Sequence, residues 1–459
     1  MKEFVHRPYQ AGETIAAIAT PPGEGGVAII RISGNAALGV AARSFSGPIR
    51  SYKSHTAHVG KVVDVSGAVV DEALVLVMLN PRSYTGEDTV EIHCHGGSLI
   101  ARKVLETILQ AGARAAEPGE FTFKAFINGK IDLAQAEAVQ AVIAAKNDLA
   151  LNVAGEQLQG ALSKKISTFQ NELIDIAAIL EAWVDFPEED LAFAPMDEVI
   201  QRLKSVLQKI QALERTFHDG KIVSEGLSLC LAGPPNVGKS SLMNALLGRE
   251  RAIVTDVPGT TRDLLEEGMR LGQLHFRLID TAGIRATDEV VEKEGIRRSK
   301  MAIEQADLVL LVLDAASGLC AMGRELLATA PPAKTLCIWN KIDLPHATLP
   351  ELSQVQVACV SAKTGQGLDD LKSMVDRMIW HRGPPSKEEI VITNLRHKQA
   401  LQNATETLGT LIVGLETGVS PEFVASDMRQ TLLELGTIIG SNITEDILSA
   451  IFAKFCIGK

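Results

Sequence analysis

The sequence predicts a multi-domain protein: an N-terminal α/β domain, then an all-α domain that is interrupted by an inserted, Ras-like P-loop α/β domain. Strand-like apolar runs alternate with turns up to about residue 125, and helical spacing of apolar residues follows from about Ala134 to Phe217. Helical spacing returns after Glu388, so helical sequence flanks the inserted stretch on both sides. We therefore expect the two flanks to pack together as one domain. The expected boundaries are 1–125, 126–225, 226–382 and 383–459.

Composition limits the class of protein. The 459 residues suit roughly three domains, and a net charge of −11 argues against a surface that attracts nucleic acid everywhere. Any RNA contact then needs a local patch or a partner, and we expect no DNA partner. The six cysteines lack paired spacing, which favours a reducing compartment without disulfides. Residues 1–10 lack the apolar region of a signal peptide, and no apolar run approaches a membrane span, so we expect a cytoplasmic protein.

The N-terminal stretch reads as a small α/β domain. Pro21–Gly26 is a turn cluster between two strands, and the second of these strands carries Arg31 inside an apolar run. In the helical stretch that follows, residues 185–190 (Asp-Phe-Pro-Glu-Glu-Asp) interrupt the pattern, as a proline stop and a solvated acidic cap would. The expected strands span Thr14–Thr20, Val27–Ser33, Leu74–Leu79 and Thr89–His93, and the expected helix spans Leu99–Ala111.

A phosphate-binding loop opens the inserted domain. Gly233–Ser240 reads Gly-Pro-Pro-Asn-Val-Gly-Lys-Ser and fits G-x-x-x-x-G-K-[ST]. An apolar run over Leu227–Ala232 precedes it and a helical pattern follows, which is the context that the loop requires. Backbone N–H groups at the helix N-terminus bind phosphate there. Lys239 would reach the β- and γ-phosphates, and the Ser240 hydroxyl would bind Mg²⁺.

Two later motifs indicate guanine. Asn340–Asp343 reads Asn-Lys-Ile-Asp after the strand-like run Thr335–Trp339. The Asp343 carboxylate can accept hydrogen bonds from N1–H and the 2-amino group of guanine. Adenine offers no such pair, which argues against ATP. Ser361–Lys363 reads Ser-Ala-Lys after the run Val355–Val360 and fits the loop whose backbone contacts guanine O6.

Two segments between these motifs read as switches. Residues 255–263 lie at the position of switch I, where Thr261 would complete the Mg²⁺ shell when GTP is bound. Asp280–Gly283 follows the run Phe276–Ile279, so Asp280 can reach the Mg²⁺ shell and the Gly283 N–H can sense the γ-phosphate. The expected GTP-binding residues are Asn236, Val237, Gly238, Lys239, Ser240, Ser241, Thr255, Asp256, Val257, Pro258, Gly259, Thr260, Thr261, Asp280, Thr281, Ala282, Gly283, Asn340, Lys341, Asp343, Ser361, Ala362 and Lys363.

The residue after Gly283 raises a mechanistic question. Many GTPases carry a glutamine there that orients the attacking water, whereas this chain has Ile284, which cannot hydrogen-bond. No obvious arginine finger lies in the motifs, although Arg262 and Arg285 are near. The catalytic group is therefore another acid, an ion or a partner. The local acids are Asp288, Glu289, Glu292 and Glu294.

Distinctive motifs occur along essentially the whole chain. Those from the inserted domain onward are the phosphate loop, Gly-Thr-Thr-Arg-Asp at 259–263, Asp-Thr-Ala-Gly-Ile-Arg at 280–285 and Phe-Cys-Ile-Gly-Lys at 455–459. Those before it are Thr-Pro-Pro-Gly-x-Gly-Gly-Val at 20–27, Tyr-Thr-Gly-Glu-Asp at 84–88, His-Gly-Gly at 95–97, Pro-Gly-Glu-Phe-Thr at 118–122 and Asp-Leu-Ala-Gln-Ala-Glu at 132–137. Together these motifs resemble the MnmE (TrmE) family of bacterial tRNA-modifying GTPases.

The resemblance implies an enzyme that acts within a complex. It implies a homodimer joined through the N-terminal domains, and a heterotetramer with the FAD-containing partner MnmG. Together they would add an aminomethyl or carboxymethylaminomethyl group to C5 of the wobble uridine of certain tRNAs. The one-carbon unit would come from a tetrahydrofolate derivative (5-formyl or 5,10-methylene) that the N-terminal domain binds, and GTP hydrolysis would accompany the reaction.

The resemblance also implies an answer to the question that Ile284 raises. In the family the GTPase domains dimerise face to face, and K⁺ sits where an arginine finger would act. Asn236 matches the K⁺-binding asparagine, Thr255 and Val257 would give backbone carbonyls, and Thr260 would give a further oxygen. Glu292 matches the catalytic glutamate that orients water.

For the folate, the matching positions are Arg31, Glu91, Lys130 and the terminal Lys459. A carboxylate such as Glu91 can accept paired hydrogen bonds from a pterin edge, and basic groups suit the carboxylates of folate. Cys456 is a candidate catalytic residue for the modification chemistry because a thiol near the terminus is accessible. An inert thiol is the alternative.

Two further alternatives stay open. The first is a GTP-controlled switch that only docks on RNA, as in ribosome-assembly GTPases. Such a switch needs neither a folate-type domain nor Cys456, and the chain lacks a KH-type Gly-x-x-Gly clamp after the inserted domain or a basic patch.

The second alternative concerns His93-Cys94-His95, which places both histidines on one face of a strand. That spacing suits a metal site or strand packing near the folate site.

Overall fold

The computed structural model describes residues 12–185, 195–249, 268–271, 274–279, 300–347, 352, 355–380, 389–419, 421–441 and 443–458. The strands are β1 Ile15–Ile18, β2 Val27–Ser33, β3 Thr56–Val63, β4 Val69–Met78, β5 Thr89–His95, β6 Arg114–Ala115, β7 Leu227–Ala232, β8 Gly268–Leu271, β9 Leu274–Ile279, β10 Leu308–Asp314, β11 Thr335–Asn340 and β12 Gln356–Val360. The helices are α1 Ala37–Ser44, α2 Ser98–Gln110, α3 Glu120–Ile127, α4 Leu133–Ala144, α5 Asp148–Leu158, α6 Ala161–Asp185, α7 Met196–Arg215, α8 Phe217–Glu225, α9 Lys239–Arg249, α10 Ala321–Thr329, α11 Leu368–Ile379, α12 Leu395–Thr417, α13 Pro421–Ile439 and α14 Glu445–Phe452.

The N-terminal sheet has the strand order β3-β4-β5-β2-β1-β6, and its pairs are antiparallel except for β1 with β6. Alternate residues of β2 and β5, such as Ile30 and Ile92, are buried in a core that α1 and α2 complete. Arg31 and Glu91 point to the opposite face because successive side chains of a strand alternate. The register places these two residues directly opposite each other.

The predicted strands of this domain need two corrections. The expected strand over Leu74–Leu79 begins earlier, at Val69, and continues through the polar pair Asp71 and Glu72. The strand β3 was absent from the prediction, because its exposed alternate residues give no apolar run. It lies at the sheet edge, and Val59 is 73% exposed there.

The helical domain is built from both flanks of the inserted sequence, which confirms the predicted architecture. Helices α6 and α7 from the first flank share one core with α12 and α13 from the second. Phe169 and Leu203 are buried there with Leu408 and Leu435. Within the described residues after 388 there are three helices, in agreement with the helical spacing of that stretch. No described helix is long and apolar enough to cross a membrane.

The second sheet carries the nucleotide motifs. Its order is β12-β11-β10-β7-β9-β8, and all pairs are parallel except β8 with β9. Every residue of β10 is buried, as strands covered on both faces are. The phosphate loop follows β7, and the guanine motifs follow β11 and β12. The parallel order therefore brings these motifs to one edge of the sheet, where ligands bind in such folds.

The core of this sheet continues into the helical layer. Leu149 and Val153 of α5 and Val223 of α8 are buried in the same cluster as Leu229 and Phe276 of the sheet. The segments before and after the inserted domain also contact each other: the Ile392 N–H donates to the Thr216 hydroxyl at 3.0 Å. The sheet is thus packed against helices from the first flank and is not tethered by linkers alone.

Candidate functional site

The phosphate loop turns sharply between β7 and α9. Gly233 has φ +145°, and a side chain there would run into the Val312 carbonyl, so glycine is required. The Lys239 ammonium donates to the carbonyl oxygens of Gly233 at 2.8 Å and Pro234 at 2.7 Å. Burial lowers the pKa of Lys239. The loop therefore curls around a cation at a helix N-terminus, which is the arrangement that binds phosphate.

The guanine motif, Asn340–Asp343, is hydrogen-bonded to this loop. The Asn340 amide donates to the Val237 carbonyl at 2.9 Å, and the Lys341 ammonium donates to the Asn236 carbonyl at 2.7 Å. Two neighbouring residues of one motif thus bind two neighbouring carbonyls of the other. The Asn340 side-chain oxygen also accepts from the Ala362 N–H at 3.0 Å. These contacts join three sequence-predicted segments into one unit.

Asp343 is held by the third segment. The Ser361 hydroxyl donates to the Asp343 carboxylate at 2.7 Å and accepts from the Thr364 N–H at 3.1 Å. Ser361 is fully buried, so water does not compete for its hydroxyl. The carboxylate that the sequence assigns to guanine recognition is therefore oriented before a base arrives. Lys363, from the same segment, is exposed.

Asp314 belongs to this site, and sequence reasoning missed it. It ends β10, and its carboxylate accepts from the Lys341 ammonium at 2.6 Å and from the Ala316 N–H at 2.9 Å. Burial raises the pKa of Asp314, but the hydrogen bonds from Lys341 and Ala316 outweigh it and hold the pKa below 3.8. An acid at the end of an otherwise apolar buried strand is the signal that could have found it.

The N-terminal site is built on the Arg31–Glu91 pair. Arg31 Nε donates to Glu91 Oε1 at 2.8 Å, and His93 Nε2 lies 3.4 Å from Glu91 Oε2. The Arg31 guanidinium carbon lies 5.8 Å from the Tyr84 ring centroid and 5.7 Å from the Phe121 ring centroid, within range of cation–π attraction. Glu91 is 9% exposed, so its carboxylate is largely desolvated and firmly paired.

The end of the chain returns to this site. Phe455 and Phe452 are buried in a cluster with Phe123 of α3, and the Gly119 N–H donates to the Cys456 carbonyl at 3.4 Å. The Gly458 carbonyl lies 3.4 Å from Arg31 NH1. The terminal segment thus contacts Arg31 through Gly458, and the thiol of Cys456, two residues earlier, is exposed.

Comparison with known proteins decides the family. The "MnmE helical domain" family matches residues 133–456, and the "GTP-binding protein TrmE N-terminus" family matches residues 14–130. The chain belongs to the MnmE family of tRNA modification GTPases. The tRNA modification GTPase MnmE of Protochlamydia amoebophila (strain UWE25) is 64% identical and covers 100% of both chains. The MnmE of Geobacter sulfurreducens is 45% identical over 97% of this chain and 99% of its own.

Among solved structures, the G domain of the T. maritima FeoB iron transporter is 26% identical. It covers 34% of this chain and 99% of that chain, with a TM-score of 0.25. Membership of the MnmE family rests on the sequence matches, and it agrees with the resemblance that the motifs indicated.

Of Lys130, His93 and His95, His93 is the one with a contact to the Arg31–Glu91 pair among the described residues. Lys130 donates to the Pro81 carbonyl at 3.0 Å, in the loop that carries Tyr84. His95 donates through its backbone and pairs through Nδ1 with Asp71, at 2.8 Å each. No cluster of metal-binding side chains occurs in the described part of the chain. The contact of His93 with Glu91 favours strand packing beside the pair.

Several predicted site residues of this MnmE family member lie outside the described residues. They are the switch residues Thr255, Asp256, Val257, Pro258, Gly259, Thr260, Thr261, Asp280, Thr281, Ala282 and Gly283, the acid Glu292 and the terminal Lys459. Their roles stay predictions.

Proposed function

We propose that the chain is a K⁺-activated GTPase that acts with an FAD-dependent MnmG partner on tRNA in the cytoplasm. Together they add an aminomethyl or carboxymethylaminomethyl group to C5 of the wobble uridine of certain tRNAs. Homodimers form through the N-terminal domains, and a heterotetramer forms with MnmG. The hydrogen bonds from Asn340 and Lys341 to the phosphate loop support GTP binding. Full-length similarity to proteins named tRNA modification GTPase supports the action on tRNA.

The phosphate loop offers oxygen donors that suit both metal ions. Ser240 is exposed near the N-terminus of α9, and its hydroxyl is a hard donor of the kind that Mg²⁺ takes, with Thr261 as the second protein ligand. Asn236 is exposed at the outer turn of the loop, so its amide oxygen can reach an ion shared with a second GTPase domain. Thr255, Val257 and Thr260 would complete the K⁺ ligands, and Glu292 would orient the attacking water.

The Arg31–Glu91 pair suits a folate. A bound tetrahydrofolate would supply the one-carbon unit. Glu91 would accept from the pterin N–H groups, and Arg31, Lys130 and Lys459 would supply positive charge for the folate carboxylates. Because the Gly458 carbonyl contacts Arg31, the Cys456 thiol belongs to a segment that would lie close to the folate, and we assign this thiol a role in the modification chemistry.

The test of the GTPase proposal is turnover in KCl against NaCl at matched ionic strength. Asn236→Gly is the sharper variant, because Asn236 has φ +61°, which glycine adopts without strain while alanine does not. We expect strong K⁺ stimulation in the natural chain and its loss in Asn236→Gly, with GDP binding retained. Equal rates in both salts would contradict the K⁺ mechanism. GTP-dependent docking on RNA without turnover would favour the switch alternative.

A further inference from the structure

Asp314 occupies a position that the proposed mechanism does not use. It is the last residue of β10, is 9% exposed and lies opposite Asn340 of β11 in the parallel register. One carboxylate oxygen accepts from the Ala316 N–H, and the other accepts from the Lys341 ammonium at 2.6 Å. Asp314 is therefore a largely buried partner of the lysine in the guanine motif.

Lys341 connects Asp314 to the phosphate loop. Its ammonium donates to Asp314 and to the carbonyl of Asn236, at 2.6 Å and 2.7 Å. Both Lys341 and Asn236 have left-handed backbones, with φ of +67° and +61°. Non-glycine residues rarely adopt that region without support from neighbouring groups. Removing the Asp314 charge would free Lys341 to move and would release the Asn236 carbonyl.

We propose that Asp314 is a positioning residue for guanine nucleotides, acting through Lys341 to fix the phosphate loop at Asn236. The inference rests on the proposed GTPase function. It assigns to Asp314 a part of the nucleotide affinity, although the carboxylate itself touches two protein groups, the Lys341 ammonium and the Ala316 N–H. The substitution that tests this proposal is Asp314→Asn. Asparagine keeps an oxygen for the Ala316 N–H but presents an amide donor, without charge, to the ammonium.

A structural role in the turn is the competing explanation. Besides the Ala316 N–H, the Gly318 N–H donates to the Asp314 carbonyl at 2.9 Å, so the residue also supports the turn after β10. A turn defect would weaken nucleotide binding whether or not Lys341 were present. Positioning through Lys341 predicts that the effect of Asp314 disappears once the ammonium is gone.

The experiment is a double-mutant cycle on the full chain, read out as the affinity for a fluorescent GDP. The proteins are the natural chain, Asp314→Asn, Lys341→Met and the double variant. We expect Asp314→Asn to weaken GDP binding about tenfold in the natural background and less than about twofold in the Lys341→Met background. Asp307→Asn is the matched control, because that carboxylate lies at the other end of β10 and accepts from Ser228. We expect it to leave the affinity within about twofold.

The outcomes separate the two explanations. Equal losses in both backgrounds would assign Asp314 to the turn and overturn the inference, as would unchanged affinity in Asp314→Asn. A natural chain that failed to bind GDP would overturn the GTPase proposal, and the inference would fall with it. If Asp314→Asn unfolds at about the same temperature as the natural chain but binds GDP more weakly, the result supports positioning.

Discussion

At the scale of single residues, the nucleotide site uses backbone conformations that few side chains tolerate. Gly233 and Gly238 have positive φ, and Asn236 and Lys341 adopt the left-handed region without being glycine. Asparagine visits that region more easily than most residues, whereas lysine does so only at a cost of about 1 kcal/mol. Hydrogen bonds from Lys341 to Asp314 and Asn236 offset that cost.

Ser361 gives a direct test of how Asp343 is oriented. Ser361→Ala removes the hydroxyl that donates to Asp343 and accepts from the Thr364 N–H, so both groups lose this partner. We expect GDP affinity to fall about tenfold, which corresponds to one lost hydrogen bond to a charged group. Fluorescent GDP titration measures it. Ser373→Ala on α11 is the control, since that exposed hydroxyl donates to the Asp369 carbonyl of its own helix. A similar loss of affinity there would contradict the role of Ser361.

Glu91 gives the corresponding test for the N-terminal site. Glu91→Gln keeps the shape of the side chain but removes the charge that pairs with Arg31 at 2.8 Å. If a pterin binds there, we expect the affinity for 5-formyltetrahydrofolate, measured by calorimetry, to fall at least about tenfold. Glu72→Gln, an exposed carboxylate on β4, should leave it unchanged. Equal binding by the natural chain and Glu91→Gln would place the folate elsewhere.

At the scale of elements, one buried network joins the two flanks of the helical domain. Glu137 of α4 accepts from Arg396 NH2 and from His397 Nε2 at 2.7 Å each, and from Asn394 at 2.9 Å. Arg396 also donates to the Thr437 and Ile438 carbonyls at the end of α13. One carboxylate from before the insertion thus meets three side chains from after it.

This network predicts an acid-sensitive contribution to stability. Burial alone would raise the pKa of Glu137, but His397 and Arg396 outweigh it and lower the pKa from 4.5 to about 2. Because the folded pKa is the lower one, the contribution is fully present above about pH 4.5 and is lost as the pH falls towards 2. The shift corresponds to roughly 3 kcal/mol at neutral pH.

The measurement is hydrogen exchange of backbone amides in α4 and α12. In the natural chain, we expect protection there to decline between about pH 4.5 and about pH 2.5, after correction for intrinsic exchange. Glu137→Gln should lose that protection already at neutral pH. Glu156→Gln changes an exposed carboxylate of α5 and serves as the control. Protection that stayed constant through this pH range would contradict the lowered pKa.

At the scale of the whole molecule, residues 452–458 pack against the N-terminal domain. Phe455 is 5% exposed and packs 5.3 Å from Phe452, measured between ring centroids, while Phe452 meets Phe123 at 5.2 Å. Gly119, with φ +71°, lets the backbone approach Phe452 more closely than any side chain would allow. The position of Cys456 beside the N-terminal domain therefore depends on aromatic packing far along the sequence.

Phe455→Ala should release the terminal segment. Truncating a buried phenylalanine costs about 3 kcal/mol, and the few other contacts of residues 453–458 do not replace it. We expect carboxypeptidase to remove the terminus faster by at least about tenfold, followed by mass spectrometry. Ile457→Ala is the matched control, because Ile457 is 62% exposed in the same segment. Equal rates for the two variants would show that Phe455 does not anchor the end.

The sequence predicted the inserted architecture and the strand ends that carry the nucleotide motifs, because these features depend on local pattern. Buried parallel strands read as apolar runs, and the motif residues follow them directly. Strand β3 was missed because an edge strand with one exposed face has no such run. The Arg31–Glu91 pair came from resemblance, since the two residues lie 60 positions apart and only the register of β2 with β5 puts them opposite each other.

The sequence by itself determined the nucleotide motifs, the interrupted helical domain and the family, since each depends on short motifs or on local helical patterns. The tertiary structure alone decided that Lys341 links Asp314 to the phosphate loop, that Glu137 meets Arg396 and His397, and that the terminus reaches Arg31. Those contacts join residues 27 to 427 positions apart. Local propensities carry no information about such distances, because packing of whole elements brings the partners together.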